Sequence, residues 1–565
     1  MQGASTAVKM QITMDSTARI SREQVDAVVV GAGLAGLYAL YRLREGGLSV
    51  RVFEAGGGVG GTWYWNCYPG ARCDVESVDY SFSFSEELQQ EWTWSERYAA
   101  QPEIQAYIQH VSERFDLLPH ITFETRVESA VFDAGRARWT VSTDRGETVT
   151  ARICVMATGC LSTRRVPPFA GLEDFTGEQI HPGAWPQDRD VSLRGKKVGI
   201  IGTGSTGIQI VAALAQEVDE LYVFQRTANY SMPAHNGPLP PGVMNEVKAT
   251  YAQRRRDSRQ TKRGFPVPAA ATADSVFNYT PEEQRERLER MWSHGGAIFT
   301  SVFGDLTVDA RANEIAADFV REKIRQRVND PAIAERLSPR DHPLGGKRPC
   351  VDTDYYEAFN RDAVRLVDLK ETPIVEFHSG GLRTSVETFD LDTVIFATGY
   401  DAITGSLNAI EIRGIGGRRL RDKWDNGPTA YLGLCSAGFP NLFMLTGPGS
   451  PSVLCNMVVS IEQHVELMLT LLDRADHERL PIVTAEPDAE MRWAEHVADI
   501  ANGTLLVEAN SWYLGANIPG KPRMFMPYAA GMATFIAECD AIVANDFEGF
   551  SFGASALERV TAKTV

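Results

Sequence analysis

The sequence predicts an α/β protein with two Rossmann-like dinucleotide-binding domains, the second carrying a helical insertion, and three observations support this. Two glycine-rich stretches, GAGLAG from Gly31 and GTGSTG from Gly202, each join an apolar run to a helical pattern. An Arg-, Glu-, Ala- and Gln-rich stretch at about 236–342 follows the second of them.

The first unit, VDAVVVGAGLAGLYALYRLREGGLSVRVFEA from Val25, reads as strand, glycine turn, helix and a second strand ending in an acid. Residues 121–159 alternate apolar and polar positions between Gly and Asp turns, as in a β-meander ending in a buried strand. A second unit, KVGIIGTGSTGIQIVAALAQEVDELYVFQRT, begins at Lys197. In the insertion after it, the run Arg254-Arg255-Arg256 is expected on a solvated face. The apolar strand DTVIFATGYD from Asp392 and FPNLFMLTGPGSPS from Phe439 then bring the chain back. Thr158-Gly159 and Thr398-Gly399 each close an apolar strand and mark passages into and out of the second domain. The expected organisation is residues 22–165 and 391–565 as the two parts of a first domain, with 166–390 as the second.

With 565 residues, 44% hydrophobic and 23% charged, the chain is a multidomain globular protein. A net charge of −17 argues against nucleic acid or an anionic membrane as main partner. No apolar run reaches the roughly 18 residues of a membrane span. The N-terminal 24 residues lack a signal-peptide core. The eight cysteines form no CxxC or CxxxxC pair, which fits a reducing cytoplasm and gives no zinc or dithiol framework, so no metal and no protein partner are expected.

In the first cradle Gly31 makes the tight turn, Gly33 admits a pyrophosphate and Gly36 allows close helix packing; Glu54 ends the second strand, placed to accept from ribose hydroxyls. The second repeats this with Gly202, Gly204 and Gly207, but its second strand ends at Arg226-Thr227, and an arginine there suits a 2′-phosphate. The pair therefore predicts FAD in the first domain and NADPH, rather than NADH, in the second. With no paired cysteines to receive electrons, oxygen is the natural acceptor.

Two further stretches resemble signatures of the type I Baeyer–Villiger monooxygenases. FTGEQIHPGAWP matches FxGxxxHxxxWP at Phe175, Gly177, His181, Trp185 and Pro186, and GTWYWNCYPGARCD matches GxWxxxxYPGxxxD at Gly61, Trp63, Tyr68, Pro69, Gly70 and Asp74. The likeness spans nearly the whole chain and is greatest to the branch containing phenylacetone and steroid monooxygenases; Cys67, where close relatives usually carry arginine, departs from it. The resemblance implies that NADPH reduces FAD, that oxygen gives a flavin peroxide, and that this attacks a ketone to yield an ester or lactone. It implies a catalytic role for Arg348, oriented by Asp74. It also implies FAD contacts at Gly61, Trp63, Tyr68 and Asp74, and NADP contacts at Thr227, Lys347, Arg348 and Trp512. The substrate pocket would be shaped by Ser452, Val453 and Leu454. His181, with Phe175, Gly177 and Trp185, would act as a structural hinge between domains, hydrogen bonding backbone rather than serving as a base. Alternatives are a related flavin monooxygenase acting on amines or sulfides, opposed by the histidine-bearing signature, and a disulfide reductase, opposed by cysteine spacing. A catalytically idle NADP-sensing or redox-scaffold protein is opposed by Arg348 and Asp74.

Overall fold

The computed structural model describes residues 22–554, so most of the N-terminal segment read for a signal peptide, and the last eleven residues, lie outside it. The strand Arg22–Val30 is central because both its faces are apolar. Ala27 and Val29 feed one core, while Val25, Val28 and Val30 feed another. It pairs in parallel with Val50–Phe53 on one side and Thr148–Met156 on the other. Helix Leu34–Glu45 crosses between the first two strands and buries Leu37, Leu40 and Leu43. The strand Thr148–Met156 has two neighbours along one edge. Its first half pairs antiparallel with Arg138–Thr143, within the expected meander, and Cys154 to Met156 pair in parallel with Leu442–Met444. The chain thus returns to its first sheet after the second is complete.

The second sheet has five parallel strands, in the order Val364–Asp368, Glu220–Gln225, Lys197–Ile201, Thr393–Phe396 and Glu178–Ile180. Two expectations change here. Thr393–Phe396 lies beyond residue 391 yet sits inside this sheet, which moves the return to the first domain past Phe396. FTGEQIHPGAWP, expected as a hinge between the domains, is in part a fixed element of the second one, because Glu178–Ile180 within it is the edge strand of that sheet.

The insertion forms helices Val243–Arg259, Pro281–His294, Ala310–Arg327 and Pro331–Leu337. Residues from the last three join the second domain's core. The first instead lays Val247 and Tyr251 into the first domain's core, beside Trp94 and Tyr107. The arginine run is accordingly not a solvated face. Arg254 donates through Nε and Nη2 to both oxygens of the buried Asp79, each at 2.6 Å, and Arg255 donates to Ser81 Oγ at 2.6 Å, leaving Arg256 exposed. Removing one partner of such a pair costs about 3–5 kcal/mol, so these arginines tie the insertion to the first domain. Among the described residues, no helix is long and apolar enough to cross a membrane.

Candidate active site

A cavity of about 890 Å³ is lined by both glycine turns and by the segments between them. The turns are near copies. Gly31 and Gly202 have φ of +103° and +112°, and a Cβ on either would stand 2.5 or 2.4 Å from the carbonyl oxygen of Ala157 or Ala397. Gly36 and Gly207 lie against these turns, where a Cβ would come within 1.9 or 2.1 Å of the oxygen of Gly31 or Gly202. Gly33 and Gly204 are the N-caps of helices Leu34–Glu45 and Ser205–Leu214, in matching extended conformations, and neither helix has a side-chain cap or an acid in its first turn. Uncapped amide donors at a helix start that lines a cavity suit a pyrophosphate. A Cβ at Gly204 would meet nothing within 4 Å and would fill this space. The residues therefore fit a dinucleotide in each cradle.

The second strands end differently. Glu54 is 5% exposed and accepts from Ala32 N and Gly56 N, both at 2.7 Å, so its carboxylate closes the first turn while lining the cavity. Arg226 is exposed and has no ion pair or side-chain hydrogen bond among the described residues. Thr227 beside it accepts from Thr203 Oγ1 at 2.8 Å through its carbonyl. Lys347 also lines the cavity; burial and then the Arg226 and Lys370 charges pull its amine below the ordinary range, with Asp341 opposing them.

Between the cradles, Arg348 donates to both oxygens of Asp74, through Nε at 2.6 Å and Nη2 at 2.7 Å, and its Nη1 donates to Val453 O. Burial acts to raise the Asp74 carboxyl, but the charge and hydrogen bonds of Arg348 override it and hold it below the usual carboxylate range. Arg348 is raised in turn: desolvation opposes its charge, and Asp74 more than compensates. The pair is thus a charged, oriented unit facing the cavity. Burial pushes the nearby thiols up, Cys160 to about 11 and Cys455 to about 12, so neither is a thiolate at neutral pH. All eight cysteines are free.

The glycine, tryptophan and tyrosine of the GTWYWNCYPGARCD stretch divide their tasks. Gly61 approaches Gly33 so closely that a Cβ on Gly33 would stand 3.4 Å from its Cα. Trp63 is buried against the first core and donates to Tyr80 Oη at 3.2 Å. Tyr68, expected on the FAD, lines the cavity but is buried in the second domain's core, where its hydroxyl donates to Gln209 Oε1 at 2.8 Å on helix Ser205–Leu214. Gly70 docks on the same helix, where a Cβ would meet Gln209 O at 2.6 Å. Cys67 is half-buried, with its thiol pushed up by burial.

Of the expected pocket residues, Val453 lines the cavity and Ser452 and Leu454 do not; Trp512, expected as an NADP contact, lines it too. Ser452 is fully buried in a left-handed conformation, φ +40°, which turns the backbone so that Val453 O meets Arg348. Leu454 packs against the cluster around Tyr513 and Phe525.

The sequence reading missed Arg263. Burial and then the charge of Arg348 pull its guanidinium below the ordinary range, and among the described residues its side chain bonds only Thr300 Oγ1. Arg263 O accepts from Asn456 N at 2.8 Å, which holds it against the Val453 loop. The lone signal in sequence was TKRG after an amphipathic helix, indistinguishable there from a surface turn.

His181, Phe175, Gly177 and Trp185 stay outside the cavity lining. His181 Nδ1 accepts from Gly183 N at 3.1 Å, which leaves Nε2 to donate to Gly399 O, also at 3.1 Å. Burial lowers this imidazole to about 4, so it is neutral at pH 7. Phe175 and Trp185 are buried, and at Gly177 a Cβ would collide with the Phe175 ring at 2.3 Å.

The family model of pyridine nucleotide-disulphide oxidoreductases matches residues 25–246. A Baeyer-Villiger monooxygenase of Pseudooceanicola batsensis is 41% identical over 546 residues, 96% of this chain and 98% of that one. Among solved structures, oxidized steroid monooxygenase bound to NADP is 50% identical with a TM-score of 0.90, covering 94% of this chain and all of that one. OTEMO in complex with FAD and NADP is 39% identical with a TM-score of 0.90, covering 94% and 99%.

Proposed function

We propose a role for each residue of this cleft from one premise: the chain belongs to the Baeyer–Villiger monooxygenases, enzymes that hold FAD and use NADPH and O2 to set one oxygen atom beside a ketone carbonyl, giving an ester or lactone. FAD, reduced by NADPH, supplies the oxygen-activating chemistry when bound. The observation that carries the assignment of roles is the Arg348–Asp74 pair, facing the cavity between two dinucleotide cradles.

Arg348 is the catalytic cation. A guanidinium keeps its protons at any working pH, so it stabilises a reactive anion beside it without protonating it. Asp74 and the Val453 carbonyl fix its orientation through three hydrogen bonds, so no reorganisation is needed when charge develops. Glu54 and the amides after Gly33 hold FAD; those after Gly204, with Arg226, Thr227 and Lys347, hold NADPH, and Trp512 covers the cavity near it. The wall formed by Leu161, Val453, Met457 and Ile461 excludes water and favours an apolar ketone.

The test is aerobic NADPH consumption across aryl, cyclic and steroid ketones and a set of amines and sulfides, with products weighed by mass spectrometry. A ketone product heavier by one oxygen is expected; N- or S-oxides without any ester would overturn the ketone reading. In the same assay Arg348→Ala should lower ester formation by roughly 10²- to 10³-fold while NADPH still bleaches the flavin absorbance.

A further inference from the structure

Three of the cations that line the cavity, Arg165, Arg226 and Lys347, have no ion pair among the described residues. Arg226 and Lys347 come from the second domain, and Arg165 comes from the segment that crosses from the first domain to the second. Among the described residues none of the three side chains has an ion pair or hydrogen bond, in a chain whose net charge is −17. Unpaired cations gathered in a half-buried cavity repel each other and lose hydration, so their convergence points to an anionic ligand.

The surroundings place Arg165 beside Arg226. Phe169, four residues after Arg165, packs with Leu369 against a cluster that contains Phe224, two residues before Arg226. Leu369 N donates to Gln225 O at 2.8 Å, and Pro167, Phe169, Phe224 and Leu369 all line the cavity. An apolar surface next to unpaired cations suits an adenine ring carrying a phosphorylated ribose. Burial and the charge of Arg226 both pull the Arg165 guanidinium below the ordinary range.

The backbone of Arg165 is gripped at the same point as the signature histidine. Arg165 N donates to Gly399 O at 3.0 Å, the oxygen that also accepts from His181 Nε2. Arg165 O accepts from Thr398 Oγ1, and Arg164 bridges to Tyr400. The crossover strand is thereby fixed to the end of the strand Thr393–Phe396.

We propose that Arg165 is a third cation for the 2′-phosphate of NADPH, and that His181 is its positioning residue through their shared acceptor, the Gly399 carbonyl. A phosphate monoester carries a charge of about −1.5 to −2 at pH 7 and three strong acceptor oxygens, so Arg165 would add a hydrogen-bond donor beside Arg226 and Lys347, whose charges already match it. Arg165 reaches it from the interdomain crossover, so the phosphate that distinguishes NADPH from NADH also draws the crossover towards the second domain.

The proposal rests on Arg226 as a 2′-phosphate contact, so Arg226→Ala is measured beside it. Dissociation constants for NADP⁺, NAD⁺ and 2′,5′-ADP are determined by calorimetry on the FAD-loaded enzyme. Arg165→Met should weaken NADP⁺ and 2′,5′-ADP by about 5- to 20-fold and NAD⁺ by less than about 2-fold, as expected for one lost charge-assisted hydrogen bond. Arg165→Lys should restore most of that loss. His181→Ala should show the same NADP⁺-selective weakening at about 2- to 3-fold, which a general loosening of the hinge would not produce. Equal weakening of NADP⁺ and NAD⁺ by Arg165→Met, or none, overturns the role of Arg165, and unselective weakening by His181→Ala overturns that of His181. An unchanged NADP⁺ preference in Arg226→Ala would instead overturn the underlying reading of the subsite.

Discussion

The two cradles share a backbone and differ in everything that surrounds it. Around Gly31 and Gly202 the turn angles, the carbonyls of Ala157 and Ala397 and the uncapped helix starts nearly coincide. The first cradle is then closed: Gly61 backs Gly33, and Glu54 bonds one amide of the glycine turn and one of its own loop. The second is left open: Gly204 faces empty space, and Arg226 has no protein partner among the described residues. A site that completes itself retains its cofactor, whereas one with unpaired cations depends on its ligand for their compensation. This is the division a monooxygenase needs between a resident FAD and an exchanging nicotinamide.

The largest break in this comparison should come at Glu54. Glu54→Ala leaves the buried Ala32 and Gly56 amides without an acceptor, at about 1–3 kcal/mol each, and removes the carboxylate proposed to accept from the ribose. The variant should purify without flavin, read from its flavin-to-protein absorbance ratio, and full FAD occupancy would refute self-closure of the first cradle. Glu54→Gln, which keeps one acceptor oxygen, should retain part of the FAD.

How far the sequence disclosed this arrangement depended on the range of each interaction. The two glycine turns and the placing of Glu54 and Arg226 at the ends of the second strands were legible because each lies within a unit of about thirty residues. The signature residues were legible as a resemblance but not in their contacts: His181 reaches an acceptor 218 positions away, and Tyr68 one 141 positions away. Tyr68, expected on the FAD, also ties its stretch to helix Ser205–Leu214, a contact no local pattern shows. Arg254 and Arg255 looked solvated because Asp79 and Ser81 lie about 175 residues earlier, invisible to any local pattern. The misplaced domain boundary has the same origin, since a four-residue apolar strand does not announce which sheet it enters.

A smaller and more selective effect is expected at the open cradle. Arg226→Ala should raise the KM for NADPH about 10- to 100-fold, the worth of one or two charge-assisted contacts, and that for NADH less than about 3-fold. FAD content should stay at the wild-type ratio, because Arg226 touches nothing that holds the first cradle. A variant that lost flavin as well would mean the cradles are coupled more tightly than their separate surroundings indicate.

The smallest effect concerns a likeness between the halves. Each contains a buried neutral imidazole: His181 beside the second sheet, and His464, which accepts from Thr446 N in the first domain. Burial lowers both to about 4, against an ordinary 6.5. The unfolded chain binds more protons between those values, so each contribution is fully present above about pH 6.5 and is lost as pH falls towards 4. At pH 5 the loss is about 2 kcal/mol per histidine. Thermal unfolding of the FAD-loaded enzyme at pH 7.5 and 5.0 measures it. His464→Gln and His181→Asn should each remove part of the wild-type drop in Tm, whatever they do to Tm at pH 7.5. If only His464→Gln reduced the drop, the second half would have to open enough on acidification to hydrate His181 before the protein unfolds. That would put the looser packing on the same side of the molecule as the open cradle.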